Sequence, residues 1–403
     1  MGDAALSGAV FGSTPLPAWV TSQAVGTWGT VPTSNTVPSL NPNNNSALNP
    51  NFPAAAPWNG SGQSAIVVAW CSMATDPLGT LWLWGGGHAD YGGNEPYALN
   101  LVSAAPTWVM RRPPSGSLAS PATDVAPDSS SAGIAASATG FFSDGRPRPP
   151  HTYGSHIYVP GKGMAVTNLL YCWPHVNGPQ KAVYFNEATN DWGLLADYTS
   201  LGNVTSYGVG SCYDPTRNCV WFVSMGTYSM TKINVATGVT TRHGVVDNWV
   251  GEPVSLRYDA SRDLIYAVSS GIHASIQKRV VVFDPTNSTF YLPPTYTGTG
   301  PSGIDSPNFG DGAAWDEAGG RFLLWRGGLA DRTQIGTLTR PTNPKTDSWV
   351  LGSISVSGAN AVTPTPALTN HTFNRFEYIT ALGICVLINS INDPVYFFKL
   401  RSV

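Results

Sequence analysis

The chain has 403 residues, 42% of them hydrophobic and only 11% charged, with 43 Gly and 33 Pro; such a chain is rich in turns and poor in charged surface helices, which points to an all-β fold of short strands around a large core. The net charge of −3 comes from 21 basic and 24 acidic residues scattered without runs, so there is no electrostatic footprint for nucleic acid or an anionic membrane. No run approaches the roughly 18 apolar residues of a membrane span, and the start MGDAALSGAVFGSTPLP lacks the Lys or Arg of a secretory signal peptide, so neither a span nor export by the general route is expected.

Residues 1–24 read as an extended amino-terminal arm with Trp19, in LPAWV, as its anchor. VGTWGTVP (25–32) has the small-Trp-apolar look of an outer strand. Residues 33–63 form a long Asn- and Pro-rich crossing without periodicity, as do residues 113–147. Loops of that length in a compact domain are functional or mobile more often than not.

From residue 65 a unit recurs, made of an apolar strand, a short turn with Asp, Pro or Gly, and a second apolar strand. It appears as AIVVAWCSMATDPLGTLWLW (65–84), HTYGSHIYVPGKGMAVTNLLY (151–171), GVGSCYDPTRNCVWFVS (208–224), PVSLRYDASRDLIYAVS (253–269), GDGAAWDEAGGRFLLW (310–325) and TFNRFEYITALGICVLIN (372–389). In LWLWGGGHADYGGNEPYALNL (81–101), Trp82, Trp84, Tyr97, Leu99 and Leu101 alternate, the period of a half-buried strand. The first five units continue into a third and fourth strand, the fourth often opening at an aromatic. The sixth has a third strand, VYFFKLRSV, and then the chain stops, so residues 25–32 are expected to supply its missing strand and remove a free sheet edge. A repeat of this length means a propeller. The expectation is a six-bladed β-propeller over residues 25–403, closed by the strand at 25–32.

Strand direction alternates within a blade, so the loops between second and third strands and the connections to the next blade emerge on one face. His88, His175 and His273 fall in the former; His151, His243 and His371 fall in or beside the latter. The densest polar group there is His88, Asp90, Asn94 and Glu95 from the first blade, met by Asp144, Arg146, Arg148 and His151 entering the second. Histidine with carboxylate suits a ligand or a divalent ion. The competing reading is a satisfied network in which Arg146 or Arg148 pairs with Asp90 or Glu95. No two histidines show the spacing of a preformed metal pair, and no metal is expected. Most Trp and Tyr recur at strand positions and read as packing between blades. Trp173 and His175, in YCWPHVNG, and Trp58 lie on loops, and the two tryptophans are the better platforms for a sugar ring. Cys212 and Cys219 flank a turn in SCYDPTRNCV, where they could form a disulfide or stay as two half-buried thiols. Cys71, Cys172 and Cys385 read as core thiols. No GxSxG, HExxH, P-loop or Rossmann fingerprint occurs.

The first blade carries the strand, the diglycine Gly86-Gly87, and then Tyr97 and Trp108, a pattern that resembles the kelch and galactose-oxidase-like propellers; Gly327-Gly328 keeps the diglycine in the fifth. Galactose oxidase is a copper enzyme whose radical cofactor needs a Cys cross-linked to a Tyr, a second Tyr and two His. That set is not matched here, since Cys172 has no partner motif, so no cofactor is expected. The succession LPAWV, VGTWGTVP, GGGHADYGGNEPYALNL and DGRPRPPHTYGSHIYVPGKG is similar to the kelch-like proteins of tailed phages and prophages. That resemblance implies a non-enzymatic virion structural, decoration or tail-associated protein, assembled in the host cytoplasm, with other virion proteins as partners through the amino-terminal arm and a host-surface glycan as a further ligand. The alternatives are a glycan-active or metal-dependent oxidase-like enzyme on the histidine face, and a cytoplasmic kelch adaptor.

Overall fold

A computed structural model describes residues 15–40, 62–87, 90–115, 140–142, 144–169, 171–172, 176–177, 180–202, 209–223, 229–245, 254–269, 280–301, 312–367 and 372–403. Six antiparallel sheets follow one another along the chain. The first blade is Met73–Thr75, Thr80–Leu83, Tyr97–Asn100 and Trp108–Met110. The second is His156–Val159, Gly163–Val166, Lys181–Asn186 and Asp191–Asp197, and the third Gly210–Asp214, Cys219–Val223, Ser229–Asn234 and Thr240–Val245. The fourth is Val254–Asp259, Leu264–Ser269, Val280–Asp284 and Thr289–Tyr291. The fifth is Gly312–Asp316, Arg321–Trp325, Ile335–Thr339 and Val350–Ile354, with Thr297–Gly298 added in parallel at its outer edge. The sixth has Phe376–Ile379, Ile384–Leu387 and Tyr396–Lys399 from the end of the chain and Trp28–Thr30 from its beginning. Trp28 lies opposite Phe398 and Thr30 opposite Tyr396, so the ring closes as the repeat count requires. The chain is a six-bladed β-propeller.

The strands alternate with period two, but both of their faces are buried. Leu81 and Leu83 pack toward the sixth blade, while Trp82 and Trp84 pack toward the second. Val220 and Phe222 face the second blade, Trp221 and Val223 the fourth. The core is thus six separate apolar layers, one between each pair of neighbouring blades. The half-buried pattern read from the sequence is corrected for this reason: a blade is sandwiched, so an odd and an even set of side chains each meet a neighbour. Ring aromatics fill the layers, with Trp84 4.4 Å from Trp192 and Trp221 5.1 Å from Phe283.

Three further expectations change. Residues 65–68 are not strand but a short helix, Ala65–Val68, whose buried Ala65, Ile66 and Val67 seal the layer between the sixth and first blades. Gly86, at φ +95°, lets that helix approach, because a Cβ there would sit 2.9 Å from the Ile66 nitrogen. The arm expected over residues 1–24 is, over its described part, docked on the ring. Val20 is fully buried, Trp19 packs 4.9 Å from Phe397 and donates to the Ser103 carbonyl at 3.2 Å, and Lys399 donates to the Val20 carbonyl. Finally, of the two readings open for Cys212 and Cys219 the structure has the free thiols, buried and not half-buried. Hairpin register is the cause: Cys212 faces Trp221 and Cys219 faces Asp214, so the two sulfurs are staggered along the hairpin and no bridge forms.

Candidate functional site

The connection into the first strand is built alike in the first, second and sixth blades. Three residues before that strand stand Trp70, Tyr153 and Phe373, at φ +50°, +47° and +48°. L-residues rarely hold this left-handed conformation, and aromatics in it are strained. The three corners support one another: the Tyr153 N–H donates to the Trp70 carbonyl at 2.7 Å, and Tyr153 meets Phe373 edge-on at 5.8 Å. His151 stacks on Trp70 at 4.9 Å and also meets Tyr153 edge-on at 5.9 Å. Its Nε2 lies 2.9 Å from Asp90 Oδ2, an imidazole–carboxylate pair at the junction of the first two blades. Gly87 makes this junction tight, since a Cβ there would fall 1.7 Å from the Pro149 carbonyl oxygen.

The other residues expected on this face divide into two groups. Asn94 clamps the two flanks of the insertion that spans residues 113–147: its Nδ2 donates to Ser115 Oγ at 2.9 Å and to the Pro147 carbonyl at 3.0 Å, and its Oδ1 accepts from the Ser115 N–H at 2.8 Å. Ser115 donates onward to Asp144, which pairs with Arg146; Arg146 also donates to the carbonyls of Pro113 and Pro114. The carboxylate partner of Arg146 is thus Asp144, from its own turn, and not Asp90 or Glu95. Arg148 is buried, donates to the Phe141 carbonyl at 3.1 Å and lies 5.0 Å over the Phe142 ring.

Glu95 belongs to a separate buried cluster. Its Oε1 accepts from Tyr91 at 2.5 Å and from Tyr97 at 3.0 Å, and Tyr97 accepts from Gln63. Burial pushes its carboxyl up to about 7, and among the described residues Oε2 has no hydrogen-bond partner. The tyrosines and Gln63 were not legible as site residues, because Tyr97 reads as a strand aromatic and Gln63 sits at the end of a loop. His88, Trp173 and His175 lie outside the described residues. His243, expected in or beside a blade connection, sits inside the fourth strand of the third blade and bonds Ser288 of the next blade. His156 opens the first strand of the second blade. Among the described residues no three His, Cys, Asp or Glu side chains are grouped to hold a metal ion.

No protein-family profile matches the chain, and no curated protein matches it. Among solved structures it is similar to a protein of unknown function from Bacteroides thetaiotaomicron VPI-5482, at 13% identity and a TM-score of 0.41 over 81% of this chain and 68% of that one. It is also similar to a fungal alcohol oxidase of the AA5 family solved with copper, at 10% identity and a TM-score of 0.43 over 74% of this chain and 56% of the oxidase. Likenesses this distant say nothing of activity. The propeller assignment rests on the six sheets themselves.

Proposed function

We propose that the ring is a non-enzymatic binding scaffold, serving as a structural, decoration or tail-associated component of a virion, with its loop-bearing face turned to protein partners or a host-surface glycan. The observation that carries this reading is the Asn94 clamp, in which Asn94, Ser115, Asp144 and Arg146 are engaged in holding the flanks of the long insertion in place. Polar side chains so engaged hold the two flanks of the insertion together. The viral setting is supported by the likeness of LPAWV, VGTWGTVP and the first-blade loop to phage kelch-like proteins. The test is co-expression of the full chain with the genes beside its own, followed by gradient sedimentation and mass spectrometry of assembled particles. Stoichiometric incorporation is expected; a chain that sediments alone while particles assemble completely overturns the proposal. The Asp90–His151 pair favours a second reading, an enzyme on this face, which predicts that His151→Ala abolishes a measurable turnover of a glycan or alcohol while leaving the fold intact.

A further inference from the structure

The axis of the ring holds a cavity that the loop-bearing face does not share. At that end Asn374 ties three alternate blades, donating to the Gly154 carbonyl of the second at 3.3 Å and accepting from Ser255 of the fourth at 2.9 Å, while Gly154 and Gly210 bridge backbone to backbone. Beyond this tie the first strands diverge around a space of about 250 Å³ that opens toward the short turns, where Pro77 and Pro160 edge it. That volume is just under the roughly 300 Å³ at which small-molecule sites begin, enough for one ring and not for an oligomer.

Its lining is chemically specific. Tyr158, Tyr213 and Tyr258 form the wall, and their hydroxyls are anchored in the turns, on Glu187, Asn218 and Asp263 at 2.9, 3.0 and 2.8 Å, which fixes the rings. Deeper, Arg257 pairs with Glu377 Oε1 at 2.5 Å and is held by the carbonyls of Leu256 and Ala313. Among the described residues Glu377 Oε2 accepts no hydrogen bond. His156, 2% exposed and with Nδ1 on the Ser72 carbonyl, packs into the inner wall. A carboxylate is an expensive group to place in a ring axis merely as filling, and a carboxylate oxygen open to the cavity beside three fixed aromatic rings asks for a ligand with hydroxyl donors and an apolar face. An amine would meet Arg257, whereas a hydroxyl can donate to Glu377 and accept from Arg257 together.

We propose that this axial cavity binds a single polyhydroxylated six-membered ring, a monosaccharide or cyclitol, between Tyr158, Tyr213 and Tyr258, with its hydroxyls on Glu377 and Arg257. The proposal goes beyond the particle role and stands apart from it, since it concerns the opposite face. The experiment is saturation-transfer NMR on the full chain with glucose, galactose, mannose, N-acetylglucosamine and myo-inositol, with ethylenediamine and acetate as charged controls. At least one ring should bind saturably at one site, and Tyr213→Ala and Glu377→Gln should each weaken it tenfold or more. Should Glu377→Gln fail to fold, Tyr213→Ala at the lip decides. Failure of all five rings to bind, displacement by either charged control, or binding that survives Tyr213→Ala but is lost in Trp70→Ala, on the opposite face, overturns the proposal.

Discussion

The two faces of the ring solve the same problem, buried polar side chains, in different ways. On the short-turn face Asp76, Asp214, Asp259 and Asp316 follow or end the first strand of four blades, and each turns one oxygen to a backbone N–H of its own turn, on Thr80, Arg217, Ser261 and Gly319. Asp214, Asp259 and Asp316 are fully buried and paired with arginine, and several pairs cross between blades: Arg340 reaches Asp259, Arg401 reaches Asp316, and Arg217 reaches Asp263 as well as Asp214. On the loop-bearing face the Asp90–His151 pair also joins two blades, but the other contacts described there are neutral or local, as in the Asn94 clamp and the Asp144–Arg146 pair within one turn. A short turn repeated at one place in each blade brings its carboxylate to the same spot beside the next blade, so a charge can be buried with its partner assured. An inserted loop has no such fixed span, and backbone carbonyls and amides serve it instead.

Asp259→Ala puts this contrast to its strongest test. It strips partners from Arg340, Ser261 and Tyr266 and should cost about 3–5 kcal/mol in urea unfolding. Asp144→Ala on the other face, where the carboxylate is 29% exposed, should cost no more than about 1 kcal/mol. Equal losses would erase the distinction between the faces.

Next in size is a pH effect from the loop-bearing face. Glu95 titrates near 7 in the fold against an ordinary 4.5, so the folded chain holds this proton more tightly than the unfolded one. Its contribution is greatest below pH 4.5, declines as pH rises to about 7 and is flat beyond, a swing on the order of 3 kcal/mol. His156, lowered from 6.5 to about 4, acts in the other sense, its stabilisation disappearing as pH falls through that window. Subtracting the stability profile of Glu95→Gln from that of the wild type isolates the first slope. A difference that does not change between pH 4.5 and 8 would mean that Glu95 is not held protonated.

Asn94→Ala should cost about 1–3 kcal/mol, because the Ser115 amide and hydroxyl lose buried partners. A neutral result in calorimetry would show that the clamp does not hold the insertion. The smallest effect concerns the third-blade hairpin. Dithiothreitol should leave its melting temperature unchanged, and both thiols should label only on unfolding, whereas a bridge across so short a loop would have contributed roughly 2–3 kcal/mol.

The blade count and the closing strand were legible in the amino-acid sequence because both depend on local features: alternation with period two, turn residues at a constant place in each unit, and an outer strand that resembled its counterparts. The gathering of Asp90 with His151, and of Asn94 with Asp144 and Arg146, followed from strand direction alone. Strand direction says which face a loop joins; it could not say that Arg146 would turn to its own loop or that Glu95 would join Tyr91 and Tyr97. Even less could it show the axial cavity, where Arg257 and Glu377 meet from 120 residues apart across the ring. Arg257 and Glu377, each a charge in the middle of an apolar strand, were the one signal there. Whether such residues touch depends on the ring's radius and the tilt of its blades, which the six interblade layers set together, and so only the tertiary structure decided it.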